Sequence, residues 1–111
     1  MPKVSIHTGP ATKAALAHFA ALLRVRRKER NLKLDELAAR LGVSIPTVRK
    51  MLKGSPSVAA GTYFQAAHLL GVSLFDPDPD RLAATASRTA EIDTLLPQRV
   101  RTRQVVIDDD F

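Results

Sequence analysis

The chain has 111 residues with a formal net charge of +6, a hydrophobic fraction of 45%, and neither cysteine nor tryptophan. That length predicts one modest domain with a tail; the missing thiols exclude disulfides and thiolate metal sites, and no apolar run approaches the roughly 20 residues of a membrane-spanning helix. Residues 1–53 carry twelve Lys or Arg against three acids, a net +9, whereas the remainder carries five against eight, a net −3, so one part of the chain suits a polyanion and another suits something else, although solvated helix faces produce the same imbalance.

Residues 1–11 read as an N-terminal arm. Lys3-Val4-Ser5-Ile6 alternates as a brief strand would, and reads equally as a loose arm. The start lacks a charged-then-apolar signal pattern, so a soluble, intracellular protein is expected. Thr8-Gly9-Pro10 is a turn that leads into a helix over residues 11–31. Leu16, Phe19, Leu22 and Leu23 fall on one stripe of that helix. Arg24, Arg26, Arg27, Lys28 and Arg30 crowd its last turns, where cations oppose the negative helix end, and Asn31 is a stop.

A short second helix is predicted over residues 34–41, with Leu34, Leu37, Ala38 and Leu41 inward and Asp35 and Glu36 in its first turn. Gly42 supplies the left-handed backbone of a tight turn. Ser44 is the expected cap of a third helix, with Pro46 in its first turn and an end near Lys53. Ser57 is the expected cap of a fourth helix over residues 58–70, closed by Gly71. Gly61 inside it costs roughly 1 kcal/mol against Ala. Residues 73–75 begin a short turn or a single helical turn. The alternating prolines of Asp76-Pro77-Asp78-Pro79-Asp80 keep that stretch from regular helix, and a fifth helix is expected over residues 81–96, ended by Pro97. Residues 99–107 read either as a strand, pairing with residues 4–6 or with a second chain, or as an irregular tail.

The most informative segment is Leu37-Ala38-Ala39-Arg40-Leu41-Gly42-Val43-Ser44-Ile45-Pro46-Thr47-Val48-Arg49-Lys50. Leu37, Leu41, Val43 and Val48 are core positions, Ala38 is small where two helices approach, and Gly42 makes the bend. The helix after it is expected to turn Ile45, Pro46, Thr47, Arg49, Lys50 and Lys53 outward. A helix of this kind fits a DNA major groove. Thr47 suits a base edge, either by a hydrogen bond or by presenting a methyl to thymine. Arg49 and Lys50 suit guanine acceptors or phosphates, and Ser44 and Lys53 suit backbone phosphates. Arg27, Lys28 and Lys33 are further phosphate candidates.

Residues 19–75 resemble the Xre, lambda-repressor-like helix-turn-helix family. The resemblance implies an all-α fold, a five-helix DNA-binding domain over residues 12–75, and a dimeric transcriptional repressor on double-stranded operator DNA. A nucleoid-associated place in the cytoplasm is expected with it; no enzymatic activity, cofactor or metal is expected either, since no catalytic or metal motif occurs in the sequence. Lys33 stands where the family commonly has a capping Ser or Thr, and Leu34 where it commonly has a Gln that touches DNA. Those two departures put the backbone contact from the second helix in question and leave Lys33 to supply a charge instead.

A narrower resemblance covers the rest. Ser57-Val58-Ala59-Ala60-Gly61-Thr62-Tyr63-Phe64, then Leu69-Leu70-Gly71-Val72, and finally Leu96-Pro97-Gln98-Arg99-Val100-Arg101 are similar to Xre regulators encoded beside HipA-type kinases. This implies a HipB-like antitoxin that represses its own operon and binds a HipA-like serine/threonine kinase toxin. Residues 76–111, a C-terminal helix and tail, would then serve dimer or partner contacts, with Arg99, Arg101, Asp108, Asp109, Asp110 and Phe111 as partner-binding candidates. A stand-alone or phage-type repressor and a protein-interaction adaptor that binds no DNA are the alternatives.

Other constellations carry less. His7, His18 and His68 lie far apart in unlike contexts. Asp76, Asp78 and Asp80 mimic the start of a calcium loop, but two prolines intervene and no glycine follows at the sixth position. No nucleophile elbow, phosphate-binding glycine loop or His-Glu metal motif occurs.

Overall fold

Gly9 is extended, Pro10 follows in the first helical turn, and α1 runs Pro10–Glu29. Proline suits that position because its missing N–H would have no helical partner there. The computed structural model describes residues 7–99. It contains, in order, α1, α2 (Leu34–Leu41), α3 (Ile45–Met51), α4 (Ala60–Leu70) and α5 (Pro79–Leu95), and no strand among the described residues. The strand-or-arm segment at residues 3–6 lies outside them, as does almost all of the strand-or-tail segment at residues 99–107. The chain divides into two compact units, Met1–Phe75 and Asp76–Phe111.

The helices of the first unit end in one recurrent way. After α1, Asn31 adopts φ 51°. Its N–H bonds Lys28 O and the Leu32 N–H bonds Arg27 O, each at 3.1 Å. These paired back-bonds satisfy carbonyls that a helix end otherwise leaves bare. The same pair recurs after α2 from Gly42 and Val43, after α3 from Gly54 and Ser55, and after α4 from Gly71 and Val72. Asparagine tolerates the left-handed region better than other side chains.

α2 packs on α3 and α4, and α1 packs on α4. Between them lie Leu23, Leu37, Ala38, Val48, Met51, Leu52, Val58, Tyr63, Ala66, Ala67 and Leu70, all buried. Leu41, Val43 and Ile45 pack half-buried against this core. No polar or charged side chain is buried among the described residues. Phe19 and Tyr63 stack with ring centroids 5.3 Å apart. The Tyr63 hydroxyl donates to Ser55 O at 2.6 Å, and burial pushes its pKa up, so it stays a protonated donor.

Two expected helix starts shift. α4 begins at Ala60, with Ala59 before it, and no side chain caps it. Ser57 is not the cap: its N–H bonds Ser55 Oγ at 3.2 Å, and the two hydroxyls lie 2.7 Å apart. The chain stays irregular there because Val58 is spent plugging the core. Gly61 consequently falls in the first turn of α4. α5 starts at Pro79, two residues earlier than expected, because its Pro occupies the tolerated first turn and Asp78 caps it by accepting the Asp80 N–H at 3.0 Å. Residues 72–76 contain no helical turn.

Gly54 and Gly42 make different demands. Both are left-handed, at φ 77° and 69°. A Cβ on Gly54 would stand 2.9 Å from the Leu16 carbonyl of α1, whereas one on Gly42 meets nothing within 4 Å. Gly42→Ala is expected to cost about 1–2 kcal/mol, the left-handed penalty alone. Gly54→Ala is expected to cost more, because backbone must also move. Urea unfolding of the two variants checks the order; equal costs would show that α1 gives way freely.

Candidate nucleic-acid interface

α3 is placed by its inward side. Val48 and Met51 are buried and Ile45 is half-buried on the core, a spacing of three that faces one direction. The expectation of an outward Ile45 is therefore corrected: at the first helical position it is on the Val48 side. Pro46, Arg49, Lys50 and Lys53 are exposed, and Thr47 is half-buried between the two sides. Ser44 caps the helix, its Oγ accepting the Thr47 N–H at 3.3 Å and lying 2.9 Å from Thr47 Oγ1.

The ion pairs among the described residues join Arg26 to Glu29, and Arg81 to Asp76 and Asp78. Arg49, Lys50 and Lys53 are in none of them. A row of cations on the outer side of α3 and just past its end, without acids to neutralise it, is an electrostatic footprint for a polyanion.

The α1–α2 junction is a second basic region. Arg27, Lys28, Asn31, Leu32 and Lys33 line an open depression there. Lys28 and Lys33 are exposed. Arg27 is not available in the way expected of a phosphate ligand. Its Nη1 donates to Leu32 O at 2.9 Å, and its Nε is buried without a partner. Lys33 precedes α2 but does not cap it with its side chain. The end is closed from the other direction: Glu36 Oε1 accepts the Lys33 N–H at 3.4 Å, half of a capping box.

Arg27 is one of three arginines spent on structure. Arg24 Nη1 donates to Leu52 O and Arg30 Nη1 to Leu69 O, each at 2.6 Å. They sit three residues apart along the last turns of α1 and its C-terminal cap, Arg30, and their targets are the end of α3, the α1–α2 connection and the end of α4. Carbonyls at helix C-termini attract cations. The sequence offered the spacing of the arginines as a signal, but not their acceptors, which lie 28 and 39 residues away for Arg24 and Arg30.

Of the residues expected to meet a partner, Arg99 is exposed; Arg101, Asp108, Asp109, Asp110 and Phe111 lie outside the described residues. No group of three or more His, Asp or Glu side chains could hold a metal among the described residues.

Residues 18–82 match the family model described as a helix-turn-helix domain. Among curated proteins, the chain is similar to an uncharacterized HTH-type transcriptional regulator, y4mF, of Sinorhizobium fredii. The two are 38% identical over 58 residues, which cover 52% of this chain and 76% of that protein. No solved structure matches the chain.

The division of cations into anchored and free has a measurable consequence. Arg24→Ala is expected to destabilise the fold by about 1.5–3 kcal/mol, the worth of a charged hydrogen bond with a part-buried acceptor. Lys53→Ala is expected to stay within about 0.5 kcal/mol. Thermal or urea unfolding separates them, and a Lys53 effect as large as that of Arg24 would contradict the assignment.

Proposed function

The chain belongs to the helix-turn-helix domain family, and on that premise we propose that it is a sequence-specific, DNA-binding transcriptional repressor. The observation that carries this is the outer side of α3, where Pro46, Arg49, Lys50 and Lys53 are exposed behind the Gly42 bend while Val48 and Met51 hold the helix to the core. Side chains on such a helix reach base edges when it enters the major groove. Arg49 and Lys50 take base acceptors or phosphates. Ser44, Lys53, Lys28 and Lys33 take the backbone. Arg27 acts at one remove, holding the Leu32 carbonyl and so the junction that presents Lys28 and Lys33.

The repressor acts as a homodimer, with two copies of α3 entering successive major grooves about 34 Å apart on a palindromic site. The apolar side chains of α5 support pairing: Leu82, Ile92 and Leu95 are all exposed in the single chain, and no residue of this helix is buried. In proteins most helical stability comes from packing of an apolar side rather than from propensity.

The narrower proposal is a HipB-like antitoxin of the Xre type, which represses its own operon and binds a HipA-like serine/threonine kinase. Its support is the resemblance over residues 57–64, 69–72 and 96–101. Part of the first segment has a packing role of its own, since Val58 is in the core and Tyr63 bonds Ser55. The weight for a kinase partner therefore rests on residues 96–101.

Binding of the full chain to its own upstream DNA tests the first proposal. Affinity should fall steeply with salt. Lys53→Ala should weaken binding to all sequences alike and lower the salt slope by about one unit per protomer, about two for the dimer, while Arg49→Ala should cost roughly 1–3 kcal/mol per half-site on the specific site only. A chain that ignores its upstream DNA at low salt is not a repressor of that promoter. For the antitoxin proposal, co-expression with the adjacent gene should yield a co-purifying kinase; a neighbour that is no kinase, or one that elutes alone, removes it.

A further inference from the structure

Thr47 lies on the flank of α3 that the DNA-binding reading sets against base edges, and its hydroxyl already has a partner. Oγ1 lies 2.9 Å from Ser44 Oγ, and the Thr47 N–H is bound to that same oxygen at 3.3 Å. A β-branched side chain has few χ1 choices. With Oγ1 turned back to Ser44, the Cγ2 methyl is fixed on a different side of Cβ. Either hydroxyl of the pair can be the donor; with the Ser44 O–H turned to a phosphate, the Thr47 O–H is the proton that closes the pair, and donating it to a base would forfeit that bond beside the cap of a seven-residue helix. The neighbouring Pro46 is exposed and offers only carbon. Of the groups on the major-groove edges of the base pairs, the one suited to a carbon surface is the C5 methyl of thymine.

Resting on the DNA-binding reading, we propose that Thr47 selects thymine through its methyl group, with Pro46 beside it, and leaves base-edge hydrogen bonding to Arg49 and Lys50. Specificity near the start of α3 is then for an apolar base edge, and the two hydroxyls serve to aim it.

Random-sequence duplexes selected with the full chain supply the probe. The enriched duplex is resynthesised with deoxyuridine for thymidine one position at a time, which deletes only the methyl. Removal at one thymine per half-site should weaken binding about fourfold, the worth of one buried methyl-sized group. Thr47→Ser keeps the hydroxyl pair but removes the methyl from both copies of the dimer, so it should bind the thymidine duplex about fifteenfold more weakly, about fourfold per copy, with no further loss on deoxyuridine. Thr47→Val keeps the methyl and should retain the deoxyuridine penalty. Variants are compared at equal helical content by circular dichroism. Deoxyuridine tolerated at every position, an enriched site without thymine, or a deoxyuridine penalty that survives in Thr47→Ser overturns the proposal and leaves DNA binding standing. A selection that enriches no sequence sinks both.

Discussion

A seven-residue helix does not hold itself together in water, because the cost of fixing the first turn is recovered only over many more residues. α3 exists because Val48 and Met51 are buried, with Leu52 just beyond them, and everything proposed for its outer side depends on that burial. Ser44 closes its beginning, and the back-bonds from Gly54 and Ser55 close its end. Arg24 reaches across from α1 to the Leu52 carbonyl. A cap, a core stripe and a strap from another helix thus fix the direction in which Arg49, Lys50 and Lys53 point. The order is from packing to presentation: the inward residues decide which cations face out.

The basic half of the chain divides its charge between two tasks. Arg24, Arg27 and Arg30 bond carbonyls of other segments. Lys28, Lys33, Arg49, Lys50 and Lys53 are exposed and take part in none of the ion pairs among the described residues. The chemistry of the side chains fits the division. Guanidinium presents a rigid fork that suits fixed acceptors, whereas lysine is a flexible, strongly hydrated point charge. Arg26, Arg40 and Arg49 are exposed arginines outside this division: Arg26 pairs with Glu29, and Arg49, on the outer side of α3, holds a planar fork that matches the paired acceptors of guanine.

The second unit has the opposite character. α5 is capped by Asp78 and steadied at its start by Arg81 against Asp76 and Asp78. It buries nothing of its own. Leu82, Ile92 and Leu95 are exposed along it, and these are the side chains on which the proposed pairing rests.

The helices, their order and most of their ends were legible from residue order alone. Periodicity marked the inward stripe of α2, and Gly42, Gly71 and Asn31 marked left-handed stops, because the conformation at a helix end is a local property of one residue. Residue order also determined the basic bend-and-helix segment from Gly42 to Lys53. Three things were decided only in the tertiary structure. Ile45 turned inward because the phase of a seven-residue helix is set by what Val48 and Met51 pack against. Ser57 lost its role as a cap because Val58 is needed in the core. Arg27 went to the Leu32 carbonyl instead of remaining free. For Ile45 and Ser57 the deciding partner is the core as a whole; for Arg27 it is a carbonyl only five residues on, brought within reach by the turn at Asn31, and composition and spacing carry no record of which groups the folded chain brings within bonding distance.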